Sequence, residues 1–205
     1  MKTLAIVTLG VVLALPTTAA AHRLDEYLQA SRLSLLPDGI GVEIDLTPGS
    51  SVATEVASLV DADADRHMTP VEVEGYARRV LADLMLEANG DAVSLRLTSV
   101  QAPTVDDMME GLGTIRITAV GDRPGVGRGR VRLHYRNNHQ GPSSVYLVNA
   151  LVPRDGGVAV TSQTRDAQQR EIALELDVTE PTLPRLAWLL AGVLAVGGLV
   201  VLRQR

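Results

Sequence analysis

Through the middle of the chain, short runs alternate apolar and polar residues, and turn-forming residues close each run. Ile40-Gly41-Val42-Glu43-Ile44-Asp45-Leu46 alternates cleanly, Tyr27 to Leu36 alternates imperfectly before it, and Pro37-Asp38-Gly39 sits between them as a turn. A period of two sends every second side chain to the same face, so each run must lay that face on a second layer. The pattern returns at Val93-Ser94-Leu95-Arg96-Leu97, Thr114-Ile115-Arg116-Ile117, Arg130 to Tyr135, Val145 to Leu151, Val158 to Thr161 and Ile172 to Val178. Roughly eight such runs predict a mainly β chain folded as a β-sandwich, with the immunoglobulin-like arrangement as one form open to it. The core Trp and the paired cysteines of antibody domains are missing, since the chain has no Cys. The Gly-rich stretch Arg123 to Gly129 reads as a hairpin loop.

One region breaks the period. After Pro48-Gly49-Ser50-Ser51, the residues Val52, Val56, Leu59 and Val60 recur at helical spacing. A second helix is predicted to start at Thr69-Pro70-Val71-Glu72, which supplies an N-cap hydroxyl, a proline at the first helical position and a glutamate at the third. Its buried stripe is expected to be Val73, Tyr76, Val80, Leu84 and Met85, with Asn89-Gly90-Asp91 as the stop. The helical pair is thus an insert, about 51–88, placed after the second strand.

Between the two helices runs Asp61-Ala62-Asp63-Ala64-Asp65-Arg66-His67-Met68-Thr69-Pro70-Val71-Glu72. Acids alternate with small residues, so three carboxylates on a tight loop can converge while the alanines face away. Such an oxygen set suits a hard divalent cation. The segment resembles the twelve-residue calcium loop of EF-hands. The resemblance implies Ca²⁺ as the bound ion. It gives Asp61, Asp63 and Asp65 one carboxylate oxygen each, His67 a backbone carbonyl, Thr69 a hydroxyl or bridging water, and Glu72 two oxygens. Met68 falls where the family has an apolar residue. The family's sixth position is glycine because the turn needs positive φ, and here it is Arg66, at a cost on the order of 1–2 kcal/mol. EF-hands usually pair, and Asp106-Asp107-Met108-Met109-Glu110 lacks the spacing for a second loop. The lone loop is therefore expected to be braced by the sandwich or a second chain, and to bind in the roughly 10⁻⁴–10⁻³ M range of extracellular modules.

The two ends concern location. Lys2, the apolar run Leu4 to Leu15 and the small residues Thr17 to Ala21 have the layout of a secretory signal peptide, 1–21, which would leave His22 at the mature N-terminus. The uncharged run Leu186 to Leu202 is roughly 26 Å long as a helix, enough for a thin bilayer. Trp188 marks one interface, and Arg203 and Arg205 mark the cytoplasmic side. The expected layout is an extracytoplasmic domain 22–180, a linker 181–185, a transmembrane helix 186–202 and a short tail 203–205, anchored in a bacterial cell envelope. Glu180-Pro181, the apolar run and the terminal arginines also resemble bacterial C-terminal sorting tails of the PEP type. Net charge is -5, yet Lys2, Arg185, Arg203 and Arg205 lie in the end segments while all 24 acids lie between them. The central domain is therefore more acidic than the whole chain, which excludes nucleic acid as a partner and favours cations or basic surfaces.

Other chemistry is sparse. A mature His22 offers an amine and an imidazole together, a chelating pair for Cu²⁺ or Ni²⁺. Ala21-His22-Arg23-Leu24 with its following strand is similar to the extracytoplasmic portions of bacterial nickel and cobalt transport accessory proteins, which implies a transition-metal alternative and a transporter as partner. His134 and His139, with Asp106 and Asp107, form a conceivable site, although strand and turn positions suit them equally. Glu74 and Asp83 read as a solvated helix face. No phosphate loop, Gly-x-Ser-x-Gly elbow or zinc helix occurs in the sequence, so a non-enzymatic binding role is expected ahead of a hydrolase assembled from distant strands.

Overall fold

The computed structural model of the chain describes residues 24–36, 39–122, 129–151 and 157–179. The alternating runs become strands. β1 (Tyr27–Leu36) and β2 (Gly39–Pro48) pair antiparallel from Tyr27↔Pro48 to Leu36↔Gly39. Ile40, Val42, Ile44 and Leu46 of β2 point inward, as the period of two requires. The inward set of β1 is Tyr27, Gln29, Ser31 and Leu33, and its two polar members explain the imperfect alternation. They are satisfied internally. Ser31 Oγ lies 2.8 Å from Tyr135 OH, Gln29 Nε2 donates to Ser144 Oγ at 2.9 Å, and Gln29 Oε1 accepts from Asn137 Nδ2 at 2.9 Å.

The helical insert follows β2 as expected, with α1 (Ala53–Val60) and α2 (Pro70–Ala82). Then come β3 (Leu84–Ala88), β4 (Asp91–Ala92), β5 (Leu95–Gln101), the short α3 (Val105–Met109), β6 (Ile115–Asp122), β7 (Gly129–Asn137), β8 (Ser144–Leu151), β9 (Val158–Arg165) and β10 (Glu171–Val178). Two five-stranded sheets result, in the orders β5-β6-β2-β1-β8 and β4-β3-β7-β10-β9. The pairings are antiparallel except for β1 with β8, which run parallel. Their inner faces share one hydrophobic core, in which Leu33, Ile44 and Ile117 from one sheet meet Leu133, Leu174 and Leu176 from the other. This two-layer arrangement is the expected sandwich at the level of sheets.

One helix boundary is corrected. Leu84 and Met85 do not extend the stripe of α2, because the helix closes at Ala82 with Asp83 as its C-cap. Leu84–Ala88 instead pairs antiparallel with β7, from Leu84↔Asn137 to Ala88↔Leu133. A run as short as Leu84-Met85-Leu86 fits either period, and the sheet edge offers it backbone partners that a longer helix could not. Asn89 and Gly90 both take positive φ, 55° and 93°, so this pair makes the β3–β4 turn and not a helix stop. The Arg123 to Gly129 loop lies outside the described residues up to Gly129. The expected signal segment 1–21, His22, the linker 181–185, the membrane helix 186–202 and the tail 203–205 also lie outside them. No helix among the described residues is long and apolar enough to cross a membrane.

Candidate metal centre

The loop 61–72 hangs between two helices that are themselves fixed on the core. α1 buries Ala53, Val56, Ala57 and Val60, so of its expected stripe Leu59 faces outward and Val52 serves as the N-cap. α1 stops at Asp61, whose extended backbone (φ −73°, ψ 93°) turns the chain away after its N–H donates to Ala57 O at 2.9 Å. α2 starts as its sequence predicts, with a complete capping box. Thr69 Oγ1 accepts from Glu72 N at 3.4 Å, and Glu72 Oε2 accepts from Thr69 N at 2.9 Å. Val73, Tyr76, Ala77, Val80 and Leu81 seat α2 on the core, and half-buried Met68 packs beside it.

The carboxylates shape the loop between these anchors. Asp61 Oδ2 accepts from Arg66 N at 2.8 Å, Asp63 Oδ1 from Asp65 N at 3.3 Å, and Asp65 Oδ1 from His67 N at 2.7 Å. The chain curls at two left-handed residues, Ala64 (φ 59°) and Arg66 (φ 67°). Arg66 therefore adopts the conformation for which the sequence pattern leads one to expect glycine. As a result Asp61, Asp63 and Asp65 each present one carboxylate oxygen, and all three lie within 4.8 Å of one another. Asp63 and Asp65 are exposed, whereas Asp61 is 7% exposed. The second oxygen of Asp61, Oδ1, is buried and has no hydrogen-bond partner. A buried carboxylate oxygen without a donor is costly, and a cation is one way to satisfy it.

Electrostatics reflects the crowding. The Asp65 N–H draws the Asp63 carboxyl toward lower pKa, but desolvation and the neighbouring charges of Asp65 and Glu72 outweigh it and leave Asp63 raised. Glu72 goes the other way. The Thr69 hydroxyl, the Thr69 N–H and the Ala62 N–H bring its carboxyl down to about 2. Its Oε1 accepts from Ala62 N at 2.7 Å and Asp63 N at 3.4 Å, and its Oε2 from Thr69 Oγ1 at 2.7 Å. Glu72 is thus held across the loop against its first turn, outside the three-aspartate cluster, and Thr69 is engaged with it. His67 is exposed and enters the network through its N–H.

The remaining sequence candidates do not assemble into one site. His134 pairs with Glu171, Nε2 to Oε1 at 2.8 Å, on the outer face of the second sheet. His139 is buried, and its Nδ1 donates to Asp83 Oδ2 at 2.7 Å while Tyr76 OH lies 3.1 Å from its Nε2. Asp83 is exposed and caps the buried His139 ring from the solvent side, and Glu74 faces solvent with Arg78 as its i,i+4 partner. Asp106 is a residue the sequence reading did not place at the loop. Its Oδ1 accepts from Arg66 Nη2 at 2.8 Å, a contact across 40 residues of chain that carries no periodic signal. Neither a family model nor a curated protein nor a solved structure matches the chain.

Proposed function

We propose that this chain is a calcium-binding extracytoplasmic domain, anchored to a bacterial membrane by its C-terminal segment, with a structural or protein-interaction role toward another envelope protein or a transporter. The observation that carries the reading is the buried, donor-less Oδ1 of Asp61 in a cluster whose ligand oxygens lie within 4.8 Å of one another. A group of three carboxylates with no nitrogen or sulfur ligand favours a hard cation. Asp61, Asp63 and Asp65 would hold Ca²⁺ through carboxylates, with the His67 carbonyl, Thr69 and Glu72 completing the shell. Glu72 must give up part of its hydrogen bonding to Ala62 and Thr69 to do so, which lowers affinity and suits a weak extracellular site. An immunoglobulin-like sandwich is the proposed frame, supported by the two sheets over one core.

Calorimetric titration of the mature chain, beginning at His22, with Ca²⁺, Mg²⁺, Cu²⁺ and Ni²⁺ tests the reading. A calcium signal that disappears in Asp61→Ala and in Glu72→Ala is the expected result. A wild-type chain silent to calcium defeats it, and copper or nickel binding that survives Asp61→Ala would transfer the function to His22.

A further inference from the structure

We propose that Asp106 is a positioning residue for the cation loop, acting through Arg66; the proposal rests on the calcium reading above. Arg66 brings a positive charge into the very turn that gathers three carboxylates. Its own N–H is bound to Asp61 Oδ2, so the guanidinium is tethered to the cluster by one side chain's length. A cation on such a tether can fold back onto the carboxylates and compete with a metal ion for them. In the structure it does not, because Arg66 Nη2 is 2.8 Å from Asp106 Oδ1.

Asp106 is itself held in place. It is the second residue of α3, whose N-cap Thr104 accepts from Asp107 N at 3.1 Å and donates to Asp107 Oδ2 at 2.7 Å. Val105 and Met108 bury α3 on the core, and Thr54 Oγ1 of α1 donates to Met109 Sδ at 3.1 Å. Asp61, Ala64 and Arg66 line one cavity together with Val105 and Met109, so α3 sits alongside the loop. The Arg66–Asp106 pair is exposed, 71% and 83% by side chain, so its value to folding is small. Its effect is on the cation, by keeping the guanidinium turned out of the cluster.

The test is calcium affinity of the full chain, measured for wild type, Asp106→Asn, Asp106→Glu and Glu110→Gln, each also in an Arg66→Gly background. Glu110→Gln removes the same charge from the same segment without touching Arg66, and so reports the general electrostatic change. The expected result is a loss of affinity on the order of threefold to tenfold for Asp106→Asn, a smaller loss for Glu110→Gln, and near wild-type binding for Asp106→Glu. The excess loss should shrink as salt rises and vanish in the Arg66→Gly background. Thermal melts of the ion-free Asp106 and Glu110 variants should coincide with that of the parent they are made in, Arg66 or Arg66→Gly, which separates positioning from folding. Equal affinities for Asp106→Asn and Glu110→Gln would overturn the proposal while leaving calcium binding intact. Persistence of the excess loss in Arg66→Gly would do the same, whereas a wild type that binds no calcium overturns the proposal and the calcium reading together.

Discussion

Arg66 pays for its position in backbone conformation, at φ 67° where an L side chain costs on the order of 1 kcal/mol relative to glycine. Arg66→Gly should therefore raise both the melting temperature and the calcium affinity, measured by calorimetry on the same preparation; a lower melting temperature would mean that the side chain's reach to α3 outweighs the strain. The need for a left-handed residue here was legible through the likeness to EF-hand loops, whose sixth position is glycine. The destination of the guanidinium was not, because Asp106 lies on an element that only the tertiary fold brings near. A second charged residue answers to pH. Partial burial pushes the Asp45 carboxyl up, but Arg116 at 2.7 Å and Arg32 at 2.8 Å push it further down, below the ordinary carboxylate range. A depressed carboxylate contributes stability above its unfolded value near 4 and loses it as pH falls through the folded value. Asp45→Asn should flatten the acid limb of a melting-temperature profile below about pH 4 and lower the plateau above it.

Among the elements, α2 joins the loop to the sandwich. Its N-terminal Glu72 belongs to the loop, and one turn later Tyr76 OH lies 2.7 Å from Tyr27 OH of β1 and 3.1 Å from His139 Nε2. All three rings are buried, so the hydroxyl of Tyr76 cannot be replaced by water without rearrangement. Tyr76→Phe should destabilise the chain by about 1–3 kcal/mol in urea unfolding, since it strands polar atoms on β1 and on the loop after β7. A change of no more than a few tenths of a kcal/mol would show that solvent reaches the chain of hydroxyls after all. The capping box and the start of α2 were legible because they are local, fixed by Thr69-Pro70-Val71-Glu72 alone. The end of α2 was not. Leu84 and Met85 fit helix and strand equally, and their state is decided by β7, which lies more than forty residues further along. α3 escaped notice for a related reason, being too short for its two buried residues, Val105 and Met108, to establish a period.

For the molecule as a whole, the proposed calcium site would make cation binding and folding one equilibrium. If the loop works at dissociation constants of about 10⁻⁴–10⁻³ M, then 10 mM Ca²⁺ should add about 1.4–2.7 kcal/mol of stability by mass action. Melts with calcium and with a chelator should differ accordingly in wild type and coincide in Asp61→Ala. The two-sheet class could be read from the alternating runs and the absence of Cys, because burial of one face per strand leaves few architectures. The order of the strands could not, since β8 joins β1 and β10 inserts between β7 and β9, and nothing in the periodicity of a strand names its neighbour. That order has a consequence in time. Tyr27 pairs with Ser144 and Ser34 with Leu151, so the β1 edge of the first hairpin stays bare until most of the polypeptide has emerged. Closing so large a loop is entropically slow, and in the interval the naked β1 flank is open to chance strands. A chain built this way benefits from a chaperone while it folds more than its modest size would suggest.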